Sequence, residues 1–256
     1  MRVLHVLVCL ALVFLVAGCS GDDPVVPAGD PDAGLQLSQM QAVNENPGVI
    51  PPGAQAHGKS YGEWAVAWWQ WLWSAPVSVN PGLDETGDSI DYGQSGPVWF
   101  IAPNYGGTSV RTATIPAGKA LLIDVVAWFF APQIGDPSTE PELRAAAAAA
   151  MDATQNITLE IDGRAVVNID AFRVQSPELF SYTLPEDNMF ALFGFPSSAG
   201  TYYPAVTDGI FVMLTPLPAG PHTIHMYAAF PDPFGTSDVT VHLNVSGAQE
   251  RHVSMD

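Results

Sequence analysis

Two carboxylates stand where chemistry could be done. Glu63 lies in the segment Ser60–Ser74, which carries five tryptophans, and Asp124 interrupts the apolar run Ala120–Trp128. Two carboxyl groups beside aromatic rings are the equipment of a carbohydrate-active hydrolase or lyase, one serving as acid and the other as base or nucleophile. Each residue also has a structural reading. Ser60 and Glu63 have the spacing of a capping box, in which hydroxyl and carboxylate satisfy each other's backbone N–H groups. A carboxylate inside an apolar strand should be paired, because burying it alone is costly. Arg111, Lys119 or a backbone N–H could supply the partner, and a structural ion pair is the simpler expectation. Glu160, Asp170, Glu178 and Asp208 are further carboxylates, with Asp208-Gly209 reading most simply as a turn.

Trp64, Trp68 and Trp71 share one stripe of a helix, and Ala65, Trp69 and Leu72 the next. With Glu63 and Gln70 on the polar seam between them supplying polar contacts, the first stripe could be a ligand-binding platform for sugar rings or an apolar ligand. A helix apolar on nearly every side is more often enclosed in a core. Asp84, Asp88 and Asp91 lie in one turn-rich acidic loop and could give oxygen ligands to calcium. Their spacing is not that of an EF-hand, and solvated loop carboxylates are the commoner case, so no cofactor is expected. His222 and His225 are three apart in a strand and point to opposite faces. His225 and His242 alone would make a poor metal site. Gly93-Gln94-Ser95-Gly96 lacks the spacing and setting of a nucleophile elbow around Ser95.

The elements that must position these residues are mostly short strands. Alternation and turn residues place them at Pro97–Ala102, Val110–Ile115, Ala120–Phe130, Ile157–Asp162, Ala165–Asn168, Phe172–Gln175, Phe180–Leu184, Gly209–Leu214, His222–Phe230 and Asp238–Val245. Asp162-Gly163 signals a two-residue hairpin. Helices are expected at Ser60–Ser74, stopped by Pro76, and at about Thr139–Ala153, with Pro141 in the first turn and an alanine run after it. The expected fold is mainly β: a single β-sandwich, Ig-like or jelly-roll-like, with a Trp-rich N-terminal helix and one inserted Ala-rich helix.

The N-terminus reads as an export signal. Met1 and Arg2 precede the apolar run Val3–Val16, which is short for a membrane span. Val16-Ala17-Gly18-Cys19 then matches the lipobox of bacterial lipoproteins, where Cys19 is acylated after cleavage. Residues 1–18 would be the signal peptide, 19–46 a Pro/Gly/Asp-rich tether, 47–248 the β-sandwich domain and 249–256 a C-terminal tail. Ser20 resembles the bacterial pattern that lets a lipoprotein travel to the outer membrane, where Asp would retain it, so the outer membrane of a Gram-negative cell is expected. The two cysteines are Cys9 and Cys19, so the domain itself has no disulfide or thiol chemistry. Across 256 residues, 26 Asp+Glu face 8 Lys+Arg for a formal charge of −18. Nothing here could neutralise a run of phosphates, so a nucleic-acid partner is excluded. With 13% charged and 48% hydrophobic residues, the chain has the apolar content to fold.

The chain resembles a largely uncharacterised family of exported bacterial proteins. The resemblance rests on Tyr61-Gly62-Glu63-Trp64 with Trp68-Trp69-Gln70-Trp71, on Gly93-Gln94 leading to Gly96-Pro97-Val98-Trp99-Phe100, and on Arg111 with Thr114-Ile115-Pro116-Ala117-Gly118-Lys119. Asp162-Gly163, Phe172-Arg173-Val174-Gln175-Ser176, Asp208-Gly209, Leu214-Thr215-Pro216-Leu217 and Gly220-Pro221-His222-Thr223-Ile224 continue it. It implies a single exported domain and no particular activity. A cysteine pair typical of such proteins, near Ile90 and Ala113, is missing. The leading expectation is a non-enzymatic, lipid-anchored binding or interaction module whose partners are the membrane, through the lipid, and a glycan or envelope protein. The alternatives are the carbohydrate enzyme on Glu63 and Asp124, and a structural envelope protein with a buried Trp cluster that self-associates.

Overall fold

Period-2 alternation and Gly/Pro punctuation run through most of the chain, and strands follow them. The structure is a computed structural model that describes Asn46, residues 48–195 and residues 197–247. The expected signal segment 1–18, Cys19, the expected tether apart from Asn46, and the expected tail 249–256 lie outside the described residues. The described chain is mainly β, with two five-stranded sheets and few helices.

The first sheet has the order β1 (Val98–Ile101), β3 (Ala120–Phe130), β8 (Gly200–Leu214), β6 (Arg173–Gln175), with β7 (Phe180–Leu184) also paired to β8. The second has the order β2 (Gly107–Pro116), β10 (Thr236–Ser246), β9 (Gly220–Ala229), β4 (Gln155–Ile161), β5 (Arg164–Ala165). The β1–β3 and β10–β2 pairs are parallel. Asp162 and Gly163 adopt positive φ and turn β4 into β5, as a two-residue hairpin requires.

Two differences from the expected strands have local causes. β5 ends at Ala165, because Asn168 takes a left-handed conformation and starts a 3-10 turn over Ile169–Phe172. β8 begins at Gly200, nine residues before the expected start, because β7 pairs with its first half.

Helix α1 (Tyr61–Ser74) starts at the expected capping box. Ser60 Oγ accepts from the Glu63 N–H, and the Glu63 carboxylate accepts from Ser60 N at 2.8 Å. Gly62 is required where α1 crosses β6, since a Cβ there would sit 2.7 Å from the Gln175 carbonyl oxygen. Helix α2 (Glu140–Ala153) buries Leu143, Ala147 and Met151, spaced four apart on one face, against β3 and β8. A one-turn helix, α3 (Met189–Leu192), is capped by the Asn188 side chain.

Side-chain amides close several strand edges. Gln94 both donates to and accepts from Phe100's backbone at the free edge of β1, standing in for a neighbouring strand. Asn46 does the same for Val167. Apolar residues from α1 and both sheets belong to one continuous core cluster.

Candidate functional site

The tryptophan stripe is core. Trp64, Trp68, Trp69, Trp71 and Trp73 are all buried, so α1 opens no indole face for a sugar to stack on. Four of the five indole N–H groups are satisfied internally: Trp64 donates to Ala56 O, Trp68 to Ile101 O, Trp69 to Thr207 Oγ1 and Trp71 to Tyr92 O. Gln70 is exposed and donates to Ser181 O of β7, pinning the helix to the sheet edge. Glu63 is spent on the cap. Hydrogen bonds from Ser60, helped by Lys59, hold its carboxyl below the usual range, the opposite of what a general acid needs.

The acidic loop turns its carboxylates on itself. Asp84 accepts from the N–H groups of Thr86, Gly87 and Ser89 at 2.8–2.9 Å, and Thr86 Oγ1 bridges Asp84 to Asp88. Burial pushes the Asp84 pKa up, but these N–H groups and the Arg111 charge outweigh it and the net shift is downward. Asp91 does not join them: among the described residues, no three His, Cys, Asp or Glu side chains gather as a metal-holding set. The described histidines of β9 and β10 are engaged by neighbours on and beside the second sheet. His222 bonds Asp162 and Pro218 O, His225 bonds Asp238, and His242 faces Thr223.

Asp124 is different. In the β3–β8 ladder it lies opposite Phe211, and residues directly opposite share a face. Phe211 packs its ring on Trp68 at 5.9 Å, so Asp124 is on the face that α1 covers. A β-bulge follows at once: the register shifts between Asp124 and Val126, which exchanges the two faces of the strand. Leu122 and Asp124 face α1 before the bulge; Ala127 and Phe129 face it afterwards. Opposite Ala127 only a glycine fits, since a Cβ on Gly209 would meet the Ala127 Cβ at 2.3 Å.

Asp124 is 1% exposed, and its Oδ1 has no hydrogen-bond partner. The expected ion pair does not form. Arg111 donates to Ala102 O and Pro103 O, and Lys119 donates to Gly96 O. Burial alone pushes the Asp124 pKa well above the ordinary carboxylate range, with no second carboxylate contributing. The titratable group whose electrostatics involve Asp124 is Tyr105, which the sequence reading did not single out. Tyr105 is 39% exposed. Its ring packs on Phe193 at 5.0 Å. Burial, then the neighbouring Asp124, pushes the Tyr105 pKa up.

Most residues of the sequence signature are absorbed by the framework. Tyr61 donates to Ile50 O and accepts from Met213 N. Arg173 grips Asp208 through two N–H···O contacts of 2.9 Å, and Gln175 adds a third. Ser176 pairs with Thr207. Five buried side-chain atoms among the described residues lack a partner, on Trp73, Trp99, Arg111, Asp124 and Tyr182. Asp124 holds the one carboxyl among them. No protein-family model, no curated protein and no solved structure matches the chain.

Proposed function

We propose that this is an exported envelope protein, lipid-anchored to the outer membrane through Cys19, whose two sheets stack as a single β-sandwich and act as a non-enzymatic binding module. The observation that carries the reading is the outward face of the second sheet. Its rows alternate buried residues with outward ones, across Thr108, Val110 and Thr112 of β2, Asp238, Thr240 and His242 of β10, and His225 and Tyr227 of β9. The helices pack on the first sheet, which leaves this polar, hydroxyl-rich face to partners. A glycan or an envelope protein suits such a surface through hydroxyl and imidazole hydrogen bonds. The carbohydrate-enzyme reading is weaker, because Glu63 caps a helix on the surface while Asp124 is buried beneath that helix.

Metabolic labelling with a palmitate analogue tests the anchor: label on the wild type and none on Cys19→Ala supports it. Binding to purified cell-wall sacculi and to lipopolysaccharide vesicles tests the module. Replacing both His225 and Tyr227 by Ala should weaken binding at least about tenfold, the loss of roughly one good contact. Unchanged binding would remove the face from consideration. The buried Trp cluster also favours a second reading, a structural envelope protein, which requires concentration-dependent self-association in sedimentation velocity.

A further inference from the structure

A strand at the border of a sheet presents a row of unpaired N–H and C=O groups, which proteins normally cover. Several borders here are covered. Gln94 closes β1, Gln70 bonds Ser181 O of β7, Asn46 pairs with Val167 beyond β5, and α1 crosses β6 at Gly62. β2 is the exception. It borders the second sheet beside β10, and Thr108, Val110, Thr112 and Thr114 are all exposed. The Thr112 N–H donates to Thr86 O of the acidic loop, so residues of that parity turn their backbone groups away from β10. Gly87 lies directly on Thr112, where a Cβ would meet the carbonyl oxygen at 2.3 Å. The loop covers β2 at that point. Among the described residues, nothing bonds the backbone groups of Thr108 or Val110 on the same side. No proline and no bulge interrupts Gly107–Ile115, and its one cation, Arg111, is 1% exposed, whereas Val110 is 56% exposed.

We propose that the open half of β2, Gly107–Arg111, takes an added strand from a partner protein: an extended segment of β-branched residues with a lysine or arginine at each end. Main-chain hydrogen bonds to Thr108 and Val110 give affinity without demanding one sequence. The segment's outward side chains pack beside Thr108 and Val110 on the same face. Charge selects the class of partner. Glu85 and Asp88, both exposed, flank Thr86 and Gly87 where the loop crosses β2, and Asp238 stands opposite Thr108 on β10. Carboxylates therefore lie at both ends of the open stretch, and a cationic segment meets them. A second copy of this chain would bring the same carboxylates together, on a molecule of charge −18. The proposal rests on the binding-module reading and gives its protein partner a shape and a charge. Binding to sacculi or lipopolysaccharide is read through His225 and Tyr227, and strand addition through Val110, so each can fail alone.

The test is fluorescence anisotropy of a labelled, amidated peptide, Lys-Val-Thr-Val-Thr-Lys, titrated with the full-length protein in detergent. Saturable binding that weakens with added salt is expected. Val110→Pro removes an edge N–H and sets a proline ring against an incoming strand, a position where an edge strand tolerates proline. It should weaken binding at least about tenfold, as should Glu85→Lys combined with Asp88→Lys, or glutamate in place of both peptide lysines. N-methylation of every internal peptide amide should abolish binding. Four results would each overturn the proposal: no saturable binding of the lysine peptide, undiminished binding by a folded Val110→Pro, equal binding of the glutamate peptide, or a wild-type dimer in sedimentation velocity that Val110→Pro dissolves. The last would assign the edge to a second copy. If Val110→Pro does not fold, the N-methylated peptide decides, since its binding to the wild type would exclude main-chain pairing.

Discussion

Asp208 and Asp124 lie in the same β3–β8 ladder, and each is 1% exposed. Around Asp208 the chain has built a complete set of donors. Arg173 and Gln175 reach it from β6, and Arg173 is itself held by Asp152 and by Ala148 O of α2. The network ties the first sheet to that helix, and Arg173, Gln175 and Asp208 sit in the sequence signature. Around Asp124 there is aromatic surface and a bulge, but no donor set. Equal burial therefore has opposite meanings. A buried carboxylate with full partners is framework; one without them lowers stability.

Arg173→Leu breaks the comparison most severely. It leaves Asp208 buried without its counter-charge and with only Gln175 as side-chain donor, and should cost about 3 kcal/mol in urea unfolding. A loss well below that would mean Asp208 is readily resolvated. Asp124→Leu should act in the opposite direction, raising the urea midpoint by the equivalent of about 1 kcal/mol, since it removes a desolvated group that had no bond to lose. A fall in stability would reveal a partner and place Asp124 with Asp208.

The pH dependence sharpens the same contrast. The raised folded-state pKa of Asp124 means that its favourable protonated form contributes fully below the ordinary carboxylate pKa. That contribution is lost as pH rises through the folded value. Wild type should therefore lose stability on alkaline titration relative to Asp124→Asn, and parallel curves would contradict the assignment.

The smallest effect is expected at a third aspartate, Asp162, which is half-exposed and bonds His222 at 2.8 Å. Burial lowers the His222 pKa, but Asp162 and the Pro218 carbonyl outweigh it, so the net shift is upward. For Asp162 burial raises the pKa, and the hydrogen bonds from His222 and Thr223 outweigh it, so the net shift is downward. The histidine's contribution is complete below its ordinary pKa and disappears as pH rises through the raised value. The carboxylate's part is complete above its ordinary pKa and disappears as pH falls through the lowered value. His222→Gln should cost about 0.5 kcal/mol between those limits, read from urea midpoints across pH, and less in high salt.

Most of the framework was legible because its causes are local. Ser60 and Glu63 announce the start of α1, Pro141 the first turn of α2, and Asp162-Gly163 the hairpin, each within a few residues of its effect. β3 and β7 begin and end at their expected residues. The candidate site was legible only in part. Asp124 stood out as a charge in an apolar run, whereas Tyr105 carried no signal beyond the glycines after it.

By itself, then, the sequence determined the elements, their caps and turns, and the oddity of Asp124, because periodicity and capping act over one or two turns of chain. Tertiary structure decided that the tryptophans are core, that Glu63 is a cap and that Arg111 and Lys119 serve carbonyl oxygens instead of Asp124. It also decided the face on which Asp124 falls. β3 is apolar on both sides, so no alternation betrays a bulge, and only the register against β8 turns that carboxyl toward the tryptophan helix.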